Sequence, residues 1–245
     1  MGSVIGIFSP KGGVGKTLLA TNLAAAFGAG HHRKTILLDL NCGNGSADLL
    51  LDLDPDRSWI DLVPVRKELT SRHISLAVTE YRPGLDLLAA PPKIFFSKAL
   101  NMEFLPMLLD KLRHKYDLVV LDTPAGNHMD QQARVLTDIQ LLLLTPDMPS
   151  LRSISRLLTE LNEGKKISGL VINQHSPGAA LDPDQIKEHL GQPLFGVLPM
   201  DADGVWSNIS YGEPCVFRKS SKLGRSIRQL SARLLRMIDQ EVAGD

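Results

Sequence analysis

The stretch SPKGGVGKT at residues 9–17 decides the fold of this chain of 245 residues, and it carries two lysines where one would suffice. A phosphate-binding loop reads G-x-x-x-x-G-K-[ST], and its single lysine meets the phosphates. The residues GKT at 15–17 fit the end of that pattern, whereas Pro10 replaces the opening glycine and Lys11 follows it. The loop predicts a phosphate site with an additional cation.

The residues on either side of this loop supply the context that a phosphate site needs. An apolar run at 4–8 precedes the loop, and a helical pattern at 17–27 follows it. In such an arrangement the glycines let backbone N–H groups face the phosphates, the second lysine reaches the β- and γ-phosphates, and the next hydroxyl ligates magnesium. A chance glycine-rich turn is the alternative, which the context disfavours. The predicted nucleotide-binding residues of this loop are Lys11, Gly12, Gly13, Val14, Gly15, Lys16, Thr17 and Leu18, with Thr17 also the metal ligand.

A second requirement is an acidic residue that ends a neighbouring strand. The run LVVLD at 118–122 provides it, so we expect Asp122 to hold the water shell of the magnesium ion. The residues TPAG at 123–126 follow directly and can form a loop that senses the γ-phosphate, with Gly126 allowing close backbone approach.

Buried strands and amphipathic helices alternate along the rest of the chain. Short runs rich in β-branched and other apolar residues predict strands at 4–8, 35–40, 85–89, 118–121, 139–145, 170–173 and 194–198. Apolar residues at helical spacing predict helices at 17–27, 99–115, 151–162, 182–190 and 220–242.

This alternation is typical of right-handed βαβ units around a parallel sheet. The predicted fold is an α/β P-loop NTPase fold, a doubly wound, mostly parallel sheet with helices on both faces in three layers, and the nucleotide at the carboxyl ends of its strands. We find no internal repeat, low-complexity tract or linker, so we expect one domain over residues 1–245.

Composition disfavours several classes of protein. Equal numbers of basic and acidic residues, 27 of each, leave no global field to attract nucleic acid or anionic lipid. Cys42 and Cys215 lie far apart, and the seven histidines show no ligand spacing, which argues against a disulfide framework or a zinc site. The longest apolar runs are too short to cross a bilayer. We therefore expect a cytoplasmic protein.

The segments KGGVGKT at 11–17 and LDTPAG at 121–126 resemble the deviant Walker-A ATPases of the MinD/ParA family. In that family the early lysine of KGGxGK[ST] reaches across a dimer to the phosphates bound by the other subunit. The resemblance implies that Lys11 bridges two subunits and links ATP to homodimer formation. A cation is needed there because two buried nucleotides bring many phosphate charges together. An ordinary solvated lysine is the alternative.

Segments outside the loop look most like the TadZ/CpaE branch of the family, which places pilus-secretion machinery at cell poles. Those segments lie within residues 38–55, 84–91 and 145–152.

The segments LVIN at 170–173 and VLPMD at 197–201 match positions where the family contacts the adenine ring. The resemblance therefore implies adenine contacts from Asn173, Pro199 and Asp201. A satisfied asparagine at a strand end is a comparable interpretation of Asn173.

One departure from the family pattern bears on catalysis. The family usually reads D-x-D after the second strand, where the resemblance implies that the first Asp organises magnesium and the second activates water, but this chain reads Asp39-Leu40-Asn41. An amide cannot accept a proton at neutral pH. If the family aspartate is a general base, its loss costs about 10²–10⁴-fold in turnover and spares binding. We expect slow or absent hydrolysis, with Lys11, Lys16 and Asn41 in the catalytic positions.

Other partners receive less support. ParA-type members bind DNA through basic C-terminal regions, and this chain has basic residues near its last helix, but the apolar stripe of that helix predicts docking on the sheet. MinD-type members carry a further C-terminal amphipathic helix, which we do not find, so we expect no direct membrane anchor. Iron–sulfur relatives use a cysteine near the loop after the Walker-B strand, and residues 122–130 contain none.

The sequence thus predicts an ATP- or ADP-binding, Mg²⁺-dependent dimerisation switch with weak hydrolysis. We expect it to position a pilus or secretion machine through protein partners that recruit it to a pole or to the inner membrane face. The alternative is a cycling ParA/MinD-type ATPase in DNA partitioning or cell-division positioning.

Overall fold

The computed structural model describes residues 1–92, 104–126, 128–160 and 167–244. Within them an eight-stranded sheet has the strand order β3-β4-β2-β5-β1-β6-β7-β8. The strands are β1 (Ser3–Phe8), β2 (Thr35–Asp39), β3 (Thr79–Arg82), β4 (Leu85–Leu88), β5 (Leu118–Asp122), β6 (Ile139–Leu144), β7 (Ile167–His175) and β8 (Leu194–Pro199). All neighbouring strands are parallel except β3, which pairs antiparallel with β4 at the sheet edge.

Helices connect these strands and cover the sheet. They are α1 (Lys16–Ala25), α2 (Ser71–Ala77), α3 (Phe104–Lys115), α4 (His128–Leu136), α5 (Met148–Glu160), α6 (Pro183–Leu190), α7 (Ala202–Tyr211) and α8 (Lys222–Gly244). Among the helices in the described ranges, none is both long and apolar enough to cross a membrane.

The strand order places β1 between β5 and β6, so the chain winds outward from β1 in both directions. Such a reversal opens a crevice at the carboxyl ends of the central strands, where ligands bind in doubly wound folds. The loop of residues 9–17 leaves β1 at this point. The predicted doubly wound, mostly parallel three-layer fold is confirmed.

Alternate side chains of the buried strands pack into two hydrophobic cores, one on each face of the sheet. One core joins strand residues such as Ile5 and Leu37 to α1 and α8. The other joins residues such as Val4 and Ile36 to α3, α5 and α6. The apolar stripe of α8 is buried in the first core, which confirms its predicted docking on the sheet: Leu223, Ile227, Leu230, Leu234 and Ile238.

The sequence patterns missed four elements, each for a physical reason. Strand β3 is short, and its residues are exposed or half-buried, so it lacks the apolar run that marks a buried strand. Helices α2 and α4 are short and largely polar. Helix α7 exposes Trp206 and Ile209 and buries Asn208, which inverts the usual pattern. The predicted start at Ala99 and the predicted end at Asn162 lie outside the described residues.

A buried asparagine pair ties the phosphate-loop helix to the outer elements. Asn22 on α1 and Asn208 on α7 are both fully buried, and Asn22 Nδ2 donates to Asn208 Oδ1 over 3.0 Å. Asn208 Nδ2 donates to the Leu50 carbonyl at 2.9 Å, and the Val216 N–H donates to Asn22 Oδ1 at 3.1 Å. The pair thus links α1 to α7, to the segment after β2 and to the segment before α8.

We expect Asn208→Ala to lower the free energy of unfolding by about 2–3 kcal/mol, because the Asn22 amide loses one of its two acceptors and the Leu50 carbonyl loses its donor. Urea denaturation measures the change. Ser210→Ala on the exposed side of the same helix is the matched control. Equal stability of the two variants would refute a structural role for the pair.

Candidate nucleotide site

The loop of residues 9–17 has the backbone of an anion cradle. Gly13 and Gly15 adopt φ values of 74° and 95°, which side chains other than glycine rarely tolerate. A Cβ atom at Gly15 would also lie 2.6 Å from the Asn173 amide nitrogen. The loop runs directly into the N-terminus of α1 at Lys16, so the helix dipole favours an anion at the same place.

Asn173 braces this loop from the end of β7. The residue is buried, and its Nδ2 donates to the Val14 carbonyl over 2.8 Å. This bond accords with the alternative of a satisfied strand-end asparagine. It also leaves the amide with a second N–H and an oxygen, so the adenine contact stays a prediction. Pro199 ends the adjacent strand and lies in register with His175, two residues beyond Asn173.

Lys16 points a desolvated ammonium group into the site. Only 8% of the residue is exposed, and burial lowers its pKa, while the charges of Asp122 and Asp130 oppose that shift. A cation that has lost much of its water gains strongly from a bound phosphate. Its placement agrees with the predicted role in phosphate binding.

Two carboxylates meet at the carboxyl edge of the sheet. Strands β2 and β5 are neighbours, and their register pairs Asp39 directly with Asp122. Both residues are almost fully buried. Burial raises the pKa of Asp122 well above its usual value, and the charge of Asp39 raises it further. Burial likewise raises the pKa of Asp39, opposed by hydrogen bonds from Asn41.

This carboxylate pair fits a magnesium ion. The Thr17 hydroxyl lies close enough to Asp122 to oppose the rise in the pKa of that carboxyl, so the predicted hydroxyl ligand lies beside the acidic pair. Asp122 Oδ1 is buried without a hydrogen-bond partner, which is costly unless a cation or water satisfies it. Hard oxygen donors are the ligands that Mg²⁺ prefers. In the part of the chain that the structure describes, no three His, Cys, Asp or Glu side chains form a metal-binding group.

Asn41 lies against both carboxylates. Its Nδ2 donates to Asp39 Oδ1 at 2.8 Å and to Asp122 Oδ2 at 2.7 Å. The sequence pattern places this residue where the family aspartate activates water, and it did not foresee that the amide would join the two acids.

Lys11 forms an ion pair within its own chain. Its Nζ lies 3.0 Å from both carboxylate oxygens of Asp147, and each side chain is more than a third exposed. The Asp147 carboxylate also accepts hydrogen bonds from the Thr145 hydroxyl and from the Ser150 N–H at the start of α5. The sequence analysis had no signal for this partner, because the two residues are 136 positions apart.

The Asp201 carboxylate is committed to two helix N-termini. Oδ1 accepts from the Gly204 N–H at 3.1 Å in α7. Oδ2 accepts from the Ser221 hydroxyl at 2.6 Å and from the Leu223 N–H at 3.0 Å in α8. The side chain therefore fixes the two helices, and the adenine contact predicted for Asp201 stays a prediction.

A further acidic residue near the loop has no sequence motif that marks it. Asp130 on α4 is buried, forms an ion pair with Arg134 at 3.6 Å and lies 3.4 Å from the Thr123 hydroxyl. That hydroxyl donates to the Ile7 carbonyl at 2.6 Å. The contacts fasten the segment after Asp122 to the strand that precedes the phosphate loop.

A glycine-lined phosphate cradle, a buried lysine and a carboxylate pair at the switch point of a doubly wound sheet define a P-loop nucleotide-binding protein. Residues 5–214 match the model of the CobQ/CobB/MinD/ParA nucleotide binding domain, so the chain belongs to that family. The predicted MinD/ParA membership is confirmed.

Relatives and solved structures support the same placement. The septum site-determining protein MinD of Synechocystis sp. is 31% identical over 243 residues, which cover 96% of this chain and 90% of that protein. The MinC:MinD cell division protein complex of Aquifex aeolicus aligns with a TM-score of 0.81 at 25% identity over 95% of both chains. MinD of Pyrococcus horikoshii, complexed with Mg-ADP, aligns with a TM-score of 0.80 at 23% identity over 96% of both chains.

We expect Asn173→Asp to weaken the binding of Mg-ADP by about tenfold or more, because a carboxylate cannot donate to the Val14 carbonyl and adds negative charge beside the phosphates. Isothermal titration calorimetry measures the affinity. Gln174→Glu makes the same amide-to-acid change on the exposed next residue and is the control. If both variants bind Mg-ADP as tightly as the unmodified protein, the Asn173 bond to the Val14 carbonyl does not support nucleotide binding.

Proposed function

We propose that this chain is a nucleotide-dependent dimerisation switch of the MinD/ParA type that positions a cellular assembly. The proposal rests on the different surroundings of the two loop lysines. Lys16 is buried at the phosphate site, whereas Lys11 is part-exposed beside it and held by an ion pair with Asp147. A cation in that place is available to phosphates that a second copy of the chain presents.

The surface around the site supports association with a second copy. Large exposed apolar side chains occur in the segments that follow β2, β6 and β8, strands whose carboxyl ends lie at the same edge of the sheet as the phosphate loop. They are Leu49, Met148, Met200, Trp206, Ile209 and Tyr211. Exposed apolar side chains mark an interaction surface where they form one contiguous patch, and we propose that those beside the site lie in the interface between two copies. ATP couples to dimerisation if it contacts both subunits, because a ligand shifts an equilibrium only through differential affinity for its two states.

Different residues of the chain would bind the phosphates and the metal of the nucleotide. The N–H groups of the glycine loop and Lys16 bind the phosphates, and Thr17, Asp39 and Asp122 hold the metal, whose bound charge would neutralise the phosphates and orient them. Asn41 takes the position of the water-activating acid and cannot accept a proton. We infer slow hydrolysis and a long-lived ATP dimer.

The names of the relatives favour one class of assembly over another. MinD of Synechocystis sp. is a septum site-determining protein, and the Aquifex protein forms a complex with MinC. These relatives favour a role in cell-division positioning, with recruitment through protein partners. The TadZ/CpaE resemblance of the outer segments makes pilus or secretion positioning the second candidate.

DNA partitioning is a weaker candidate because part of the basic C-terminal region is used internally. Arg233 donates to the carbonyls of Leu194 and Phe195 and lies 5.3 Å from the Phe195 ring centroid. Arg228 donates to the Val216 carbonyl. These two side chains are engaged in packing α8.

We expect light scattering to show a monomer with ADP and a dimer with ATP and Mg²⁺. Lys11→Ala abolishes the ATP dimer and retains nucleotide binding, because only the contact between subunits is lost. Asp147→Asn strengthens the ATP dimer, because Lys11 then contacts the phosphates of the other subunit without first breaking its ion pair with Asp147. An exposed pair contributes little, so the dimer tightens by only about two- to fivefold for each chain. An ATP dimer that persists unchanged in Lys11→Ala would refute the proposal.

We expect Asn41→Asp to raise phosphate release, by up to about 10²–10⁴-fold if the carboxylate acts as a general base. Phosphate is measured with ATP and Mg²⁺ in the samples used for light scattering. Asn44→Asp in the same loop, where the side chain is exposed, is the control for added charge. No rise in turnover with Asn41→Asp would show that the asparagine is not the cause of slow hydrolysis.

A further inference from the structure

The Asn41 amide spans the two acidic residues of the metal site. A single nitrogen lies 2.8 Å from Asp39 Oδ1 and 2.7 Å from Asp122 Oδ2. The backbone N–H of Asn41 also donates to Asp39 Oδ1, over 2.9 Å, so that oxygen accepts two hydrogen bonds from Asn41. The amide nitrogen therefore lies between two carboxylates that belong to neighbouring strands.

The partners dictate which end of the amide faces them. An amide nitrogen carries two N–H donors, and two carboxylate oxygens accept them, one each. The reverse orientation would place an amide oxygen against two acceptors with no proton between them. The N–H groups thus supply the positive end of a dipole to a buried acidic pair that has few other sources of compensation.

A cation and this amide compete for the same carboxylates. Asp39 and Asp122 are 1% and 0% exposed, so bulk water does little to separate their charges. Either Mg²⁺ or a hydrogen-bond donor between them relieves that repulsion. The amide holds one oxygen of each carboxylate and leaves Asp122 Oδ1 without a partner, so a cation that enters between the two acids shares them with the amide.

We propose that Asn41 is a built-in competitor of Mg²⁺, which keeps the carboxylate pair closed until nucleotide and metal arrive together. The proposal deepens the proposed function and rests on Mg-nucleotide as the ligand. Phosphate oxygens and the Thr17 hydroxyl supply the extra ligands that displace the amide. Mg²⁺ alone lacks the phosphate oxygens, so the nucleotide-free protein binds it weakly.

The test uses Mn²⁺ alone as the probe, with electron paramagnetic resonance counting the free ion. The full chain is titrated without nucleotide at pH 8, which limits competition from protons. Asn41→Ala adds no ligand and removes the competitor, so Mn²⁺ binds about tenfold more tightly or better, the change expected from loss of one charge-assisted hydrogen bond. Asn44→Ala removes an exposed amide from the same loop and binds Mn²⁺ like the unmodified protein.

Asn41→Ser guards the test against a folding defect. Its hydroxyl is too short to span both carboxylates, and it binds Mn²⁺ more tightly than the unmodified protein if the amide competes. Circular dichroism and urea denaturation confirm that each variant is folded. A purely structural asparagine predicts the opposite result, because a loosened site binds the ion equally or more weakly. Equal or weaker binding in the folded variants overturns the proposal.

The titration also separates this proposal from the proposed function. Because no nucleotide is present, tighter Mn²⁺ binding in Asn41→Ala supports competition even if the chain fails to dimerise with ATP. If the unmodified protein forms an ATP dimer and the Asn41 variants bind Mn²⁺ no better, the dimerisation switch stands and the competition is refuted.

Discussion

The structure depends on one constraint, the register that pairs Asp39 with Asp122 across two parallel strands. Parallel strands end at the same edge of a sheet, so two acidic residues that each follow an apolar run must meet there. The phosphate loop leaves β1, the neighbour of β5, and brings Thr17 to the same place. Folding the sheet therefore assembles a buried acidic pair, which has to be compensated by a donor or a cation.

Two charge relationships follow from that constraint. On the inner side, the Asn41 amide and the desolvated Lys16 face the acidic pair. In the proposed switch, their arrangement changes when phosphate and metal bind. On the outer side, Lys11 rests on Asp147 in a part-exposed ion pair that is easily broken. A nucleotide presented by a second copy would change the partner of Lys11. In the proposed switch, Asn41 and Lys16 thus respond to the nucleotide bound by their own chain, and Lys11 contacts the nucleotide bound by the second copy.

The sequence predicted the parts of this molecule that local patterns encode. Buried strands such as β5 are continuous apolar runs, and the glycine loop carries its own signature, so both could be found without a structure. The patterns failed where tertiary context overrides them. Helix α7 buries Asn208 and exposes Trp206, and β3 is a polar strand at a sheet edge. The partners of Lys11 and Asn41 depend on the ends of separate strands, which spacing along the chain does not reveal.

A crystal structure with a non-hydrolysable ATP analogue and Mg²⁺ tests the proposed switch most directly. We expect two copies that face each other across their nucleotides, with Lys11 released from Asp147 and directed at phosphates bound by the other copy. We also expect the Asn41 amide to have left at least one of the two carboxylates. A nucleotide-loaded monomer in which Lys11 still pairs with Asp147 and Asn41 still spans Asp39 and Asp122 would refute the switch.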